Sequence, residues 1–306
     1  MRKAWLVLAA AASVIGGLAF GYFVRRIERD VFRVGPRGPE PFDLEVEAVG
    51  DGAVTLRPLT KGAAKELTAA GWFGLLFEGG YARVGPLLSE GLATTGNVVR
   101  ALEPVRGALQ PGARARIDSF AFEGDPETAH GIAWEHVEIC CVGCDGHGHP
   151  AWLVERSLDR WVIFVHGKGA RREEALRAIP VVHEEGWSSL AITYRNDVEC
   201  PASLAGRYAF GAEEWQDVEA AVRFARDRGA QHIVIAGYSM GGGIALSFMR
   251  RSELSSLVRG LVLDAPMTDL ASLLHARARR TRIPARVMGA SLRLAGRRLG
   301  VDWTDL

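Results

Sequence analysis

The chain has 306 residues, 48% of them apolar and 24% charged, which excludes a disordered chain and permits a sizeable buried core. Its formal net charge is +1, so no strongly basic face is announced of the kind that nucleic-acid binding needs to neutralise phosphates. Four cysteines, three of them within five positions, cannot form a spread disulfide framework.

Residues 4–24 are uncharged and are flanked by Arg2 and Lys3 on one side and by Arg25 and Arg26 on the other. At 1.5 Å per residue such a stretch is long enough to cross a hydrocarbon core of roughly 30 Å. Trp5, Tyr22 and Phe23 stand near its ends, where amphipathic rings favour the interface. A cleaved signal peptide has an apolar region of only ~7–15 residues, so residues 1–26 read as an uncleaved transmembrane anchor. Basic residues nearly balance across it, and the side of the membrane is not set. Residues 27–41, charged and then rich in Gly and Pro, read as a linker.

Residues 42–130 read as a small β-rich region. Leu44-Glu45-Val46-Glu47-Ala48-Val49 alternates, Asp51-Gly52 is a turn signal, and Val54-Thr55-Leu56 resumes. Gly71-Trp72-Phe73-Gly74-Leu75-Leu76-Phe77, followed by Gly79-Gly80, is another strand and turn. Nothing in the region points to a chemistry.

From residue 131 to 306 the rhythm changes. Residues 134–142 and 151–155 are strand-like, and Arg160-Trp161-Val162-Ile163-Phe164-Val165 is the continuous apolar run of a strand buried on both faces. A helix over 171–185 closed by Gly186, a strand over 187–194 and an amphipathic helix over 212–228 follow. A buried strand at 232–237, a small-residue helix at 241–250 and a last strand at 259–264 complete the alternation. Strands alternating with helices imply a three-layer α/β domain on a mainly parallel sheet.

The sharpest chemical signal is Gly237-Tyr238-Ser239-Met240-Gly241, a G-x-S-x-G between a buried strand and a helix. A strand that reverses into a helix within two residues strains the serine and leaves no room for side chains at its flanks, hence Gly237 and Gly241. The turn lifts the hydroxyl above the sheet edge and brings the Met240 N–H to the same spot. His166-Gly167-Lys168-Gly169, after the first buried strand, supplies a second amide, that of Lys168. His166 itself reads as an orienting residue of that loop rather than a base.

On these motifs the stretch from about residue 134 onward resembles the α/β-hydrolase superfamily, in its serine esterase, lipase and peptidase-like branch. More loosely, it is similar to bacterial membrane-anchored members with a β-rich N-terminal extension. The likeness also includes Ile192-Thr193-Tyr194-Arg195-Asn196-Asp197 and Leu263-Asp264-Ala265-Pro266. It implies Ser239 as nucleophile and the Lys168 and Met240 amides as oxyanion hole, with no cofactor and a small acyl substrate.

The sequence departs from that pattern after Asp264. In that fold an acid and then a histidine follow the serine on loops after two further strands. Here a basic helical stretch over 271–300 comes instead, and His275 is the single histidine after Ser239. The sheet is therefore expected to lack its last strands and the chain to be C-terminally incomplete. Asp264 and His275 acting as substitutes, or a catalytically silent binding or scaffold protein on the same fold, are the alternatives. Cys140, Cys141, Cys144, His147 and His149 raise zinc as a possibility, but the spacing of the histidines is short and the cluster falls on a hairpin, so no metal is expected. Asp197 and Glu199 read as solvated loop acids. Oligomeric state is not readable.

Overall fold

The central apolar run makes β9 (Arg160–Val165), buried at every position after the first and flanked by parallel strands on both sides. The computed structural model describes residues 17, 20–26, 28–34, 41–90, 96–140, 148–197, 200, 206–280 and 284–300. They divide between two compact units, Met1–Pro36 with Glu135–Arg172 and Gly186–Leu306, and Arg37–Trp134 with Glu173–Glu185.

In the first unit β9 lies in a six-stranded sheet of order β12-β11-β9-β10-β8-β7. The strands are β7 (Glu135–Cys140), β8 (Gly148–Val154), β10 (Ser188–Ile192), β11 (His232–Tyr238) and β12 (Val258–Asp264). Strands β12, β11, β9 and β10 run parallel, and β8 and β7 continue antiparallel at one side. The β9–β11 register sets Gly237 beside Val165, so the chain leaves both strands at the same level. At the other side β12 is only partly buried, Val262 is 60% exposed, and among the described residues no strand pairs its outer edge.

Two longer helices pack against the core of this sheet: α4 (Trp215–Asp227), burying Val218, Ala221, Val222 and Ala225, and α5 (Met240–Arg251), burying Met240 through Ala245 and Phe248. After β12 come α6 (Leu270–Arg280) and α7 (Ala285–Leu299), two helices that pack on each other. Leu270 and Leu274 of α6 and Met288 and Leu292 of α7 enter the same core.

The second unit is a closed antiparallel barrel of order β1-β2-β5-β4-β3-β6. Its strands are β1 (Leu44–Gly50), β2 (Ala53–Pro58), β3 (Phe73–Phe77), β4 (Gly80–Glu90), β5 (Val98–Arg106) and β6 (Arg114–Asp118). Asp51 and Gly52 both have positive φ, the tight hairpin turn whose twist matches its strands. The helix α1 (Lys61–Leu67) is capped by the Thr60 hydroxyl, which accepts the Ala63 N–H, and turns Ala63 and Leu67 into the barrel core. A short α2 (Pro126–His130) follows β6.

Two expectations change, and a third falls largely outside the described residues. The helix over 171–185 is a 3-10 turn at Arg172–Arg177 and then α3 (Ile179–Glu184), because Pro180 has no N–H to give and its ring fits only the first turn of a helix. The linker over 27–41 is part of the fold from 28 to 34: Phe32 is fully buried, its ring lies edge-on to Phe210 at 5.5 Å, and its carbonyl accepts the Tyr208 N–H. The transmembrane helix over 1–26 has no counterpart among the described residues, none of whose helices is long and apolar enough to cross a membrane. Most of that stretch lies outside the described residues; 20–26 are helical, with Val24 buried.

Candidate active site

Ser239 is the single residue between β11 and α5, and the reversal forces its backbone to φ 48 and ψ −111. This is a sparsely populated region for a residue with a Cβ, and it persists because the surroundings fix it. The Ser239 N–H donates to the Asp264 carbonyl at 2.9 Å, and the Ser239 carbonyl accepts from Met267 at 2.9 Å and Gly242 at 3.1 Å. The side chain is exposed while residues 236–238 and 240–245 are buried, so the hydroxyl stands out of a packed turn.

The glycines are required by close approach. A Cβ on Gly241 would sit 2.0 Å from the Val165 carbonyl oxygen and 2.6 Å from that of His166. One on Gly237 would meet the backbone of Gly241 and Gly242 at 2.7–2.8 Å. The first turn of α5 therefore lies directly against the chain leaving β9. Met240, first residue of α5, has its side chain fully buried and its amide among the helix's first N–H groups, which have no partner within the helix. Lys168 follows in the loop, its ammonium 5.4 Å from the centre of the Tyr208 ring.

That loop is braced from below. His166 is 3% exposed; its Nε2 lies 2.9 Å from Asp197 Oδ2 and its Nδ1 2.9 Å from the Gly167 carbonyl oxygen. The Tyr194 ring stacks on it at 4.4 Å, and the Tyr194 hydroxyl donates to the His166 carbonyl at 3.1 Å. Both ring nitrogens face acceptors that hold the loop, the geometry of an orienting residue. Asp197, expected as a solvated acid, is instead 3% exposed, because it pairs with His166 and its N–H donates to the Tyr194 carbonyl. Glu199 lies outside the described residues.

Behind Asp197 a second buried acid fixes the same segment. Asp217 of α4 accepts the Arg195 N–H at 2.9 Å and both ends of its guanidinium at 2.9 and 3.0 Å. His149 Nδ1 is 3.7 Å from Asp217, and burial pushes this imidazole below its ordinary pKa. Glu214 accepts the Ala209 and Gly211 N–H groups at 2.7 and 2.8 Å, tying the loop before α4. Complete burial raises its pKa above the usual carboxylate range despite those bonds.

Asp264 gives the serine its backbone carbonyl, while its own side chain is exposed. His275, on α6, turns its ring toward Gly289 of α7, where an added Cβ would stand 3.9 Å from His275 Cε1. Of the cysteine–histidine cluster, Cys141, Cys144 and His147 lie outside the described residues; Cys140 is an exposed thiol and His149 is buried beside Asp217. Among the described residues no group of His, Cys, Asp or Glu is arranged to hold a metal ion.

Residues 159–300 match the family model described as Serine aminopeptidase, S33, and residues 45–118 match a Domain of unknown function (DUF8805). Over 146 residues, 46% of this chain, the sequence is 29% identical to the multifunctional-autoprocessing repeats-in-toxin of Vibrio cholerae serotype O1. The counterpart from Vibrio vulnificus matches to the same extent, and the chain spans 3% of the length of each toxin. Among solved structures, an esterase of Pyrococcus furiosus is 21% identical with a TM-score of 0.44, covering 55% of this chain and 63% of that one. An alpha-beta hydrolase from Vibrio vulnificus is 25% identical with a TM-score of 0.37, covering 47% of this chain and 49% of that one.

Proposed function

We propose that the chain is a membrane-anchored serine hydrolase of the α/β-hydrolase superfamily with Ser239 as its nucleophile, a reading supported by the match of residues 159–300 to the family model described as Serine aminopeptidase, S33. The Ser239 Oγ attacks the carbonyl of an ester, thioester or amide, the Oγ proton passes to a base or to water, and the leaving group departs with a proton. An acyl-enzyme results, and water then releases the acid. The Met240 and Lys168 amides hold the oxyanion, each donor of this kind contributing about 3–4 kcal/mol to the transition state. One observation carries the reading: a strained, exposed serine between β11 and α5, with the first turn of α5 in van der Waals contact with the chain leading to Lys168. The uncharged stretch at 4–24 supports the anchor, and an anchor would bring the site near acyl substrates of a membrane.

No residue is assigned as the general base, since His275 faces α7. Loss of the base alone lowers turnover by about 10⁶ in a serine protease, with about 10³–10⁴ over water retained by oxyanion hole and binding. Slow turnover of an activated aryl ester, abolished in Ser239→Ala without change in melting temperature, is the expected result. The second reading, a silent binding or scaffold protein on the same fold, is favoured by the position of His275. It would be adopted if folded wild-type protein and Ser239→Ala released the phenol at the same rate.

A further inference from the structure

Between residues 270 and 300 the sequence carries eight arginines and no acidic residue, in a chain whose net charge is only +1. The structure orders most of that charge on the helix pair α6 and α7. On α7, Arg286, Arg293 and Arg297 are all exposed, and their spacing of seven and four residues sets them on one stripe. Met288, Ser291 and Leu292 are buried on the opposite side, Met288 and Leu292 in the core beneath the sheet. On α6 the buried residues are Leu270 and Leu274, while Arg279 is exposed and Leu273 beside them is 53% exposed. The start of α6 is fixed by Asp269, whose carboxylate accepts the Ser272 N–H at 2.8 Å.

We propose that the outer face of α6 and α7 is a docking surface for an anionic lipid bilayer. Arginines lined on successive turns repel one another, and no acid within these helices offsets them, so an external anionic surface is the complement they fit. The face joins guanidinium groups to an exposed leucine, the composition of a helix lying in the headgroup region. A nucleic acid fits less well, because residues 270–300 contain no Phe, Tyr or Trp on which a base could stack. The proposal uses no property of Ser239 and stands or falls apart from the hydrolase reading.

The test is flotation of the full chain with vesicles of phosphatidylcholine alone and of phosphatidylcholine mixed with phosphatidylglycerol. Wild-type protein should bind the mixed vesicles about tenfold or more tightly than the neutral ones, an increment that falls as salt is raised. The combined variant Arg279→Gln, Arg286→Gln, Arg293→Gln and Arg297→Gln should lose that increment and keep both its binding to neutral vesicles and its melting temperature, glutamine being a comparable helix former. Lysine at the same four positions should restore it. The proposal is overturned if wild-type protein binds both vesicles equally, if the glutamine variant keeps the full increment, or if a short oligonucleotide binds the same arginines while lipid composition has no effect.

Discussion

At Ser239 the chain holds a backbone conformation that costs about 1–3 kcal/mol in an unconstrained peptide. Hydrogen bonds to Asp264 at the end of β12 and to Met267 in the loop after it, with the abutment of Gly241 on Val165, keep it there, and the result is an exposed hydroxyl on an otherwise buried turn. The neighbouring loop is held with equal care by His166 and Asp197, both buried. Replacing Asp197 by Ala leaves the His166 Nε2 facing an unfilled site and should cost about 3 kcal/mol in chemical denaturation. Asp197→Asn keeps the shape and an acceptor oxygen and should cost less than half of that. Equal losses in the two variants would contradict this, since they would mean that shape and acceptor oxygen contribute nothing and that the carboxylate charge alone carries the pairing with His166.

At the level of elements the barrel depends on one buried cation. Arg100 of β5 is fully buried, donating to the carbonyls of Leu67 at the end of α1, of Ala69 and Gly71 after it and of Gly85 in β4, with the Phe73 ring 5.1 Å from its guanidinium carbon. Arg100→Met should leave four carbonyls without their donor and lower the stability of the barrel by about 3 kcal/mol or more, with amide exchange quickening in α1 and β4; unchanged exchange there would contradict this role. None of this was legible in the sequence, since one arginine in an alternating strand carries no sign of the carbonyls that will surround it. Barrel closure was equally hidden, because pairing β1 with β6 is a contact between distant segments that periodicity does not report. What could be read were local signals: the apolar runs of β9 and β11, the Asp51-Gly52 turn, the buried face of α4, and a serine between strand and helix. The break at Pro180 was also written in the sequence, and a single helix over 171–185 leaves it out of account. Asp197 was misread for a different reason: its partner His166 lies 31 positions earlier, and only the sheet brings the two loops together.

Across the whole molecule two separate cores have formed, one within the barrel and one around the parallel sheet, and each has its own polar fastening. The proposed chemistry belongs to the second. Its sheet, helix α5 and the loop after β9 meet at a single serine, while α6 and α7 carry arginines and no acid. The central claim is that Ser239 is the most reactive hydroxyl of this protein, by virtue of its exposed position and the amides around it. Reaction of the folded chain with a fluorophosphonate, followed by peptide mapping, tests it directly. A single adduct on Ser239, absent after denaturation before labelling and absent in Ser239→Ala, is the result this account predicts. Adducts spread over other serines, or no adduct in a sample that melts cooperatively, would contradict it.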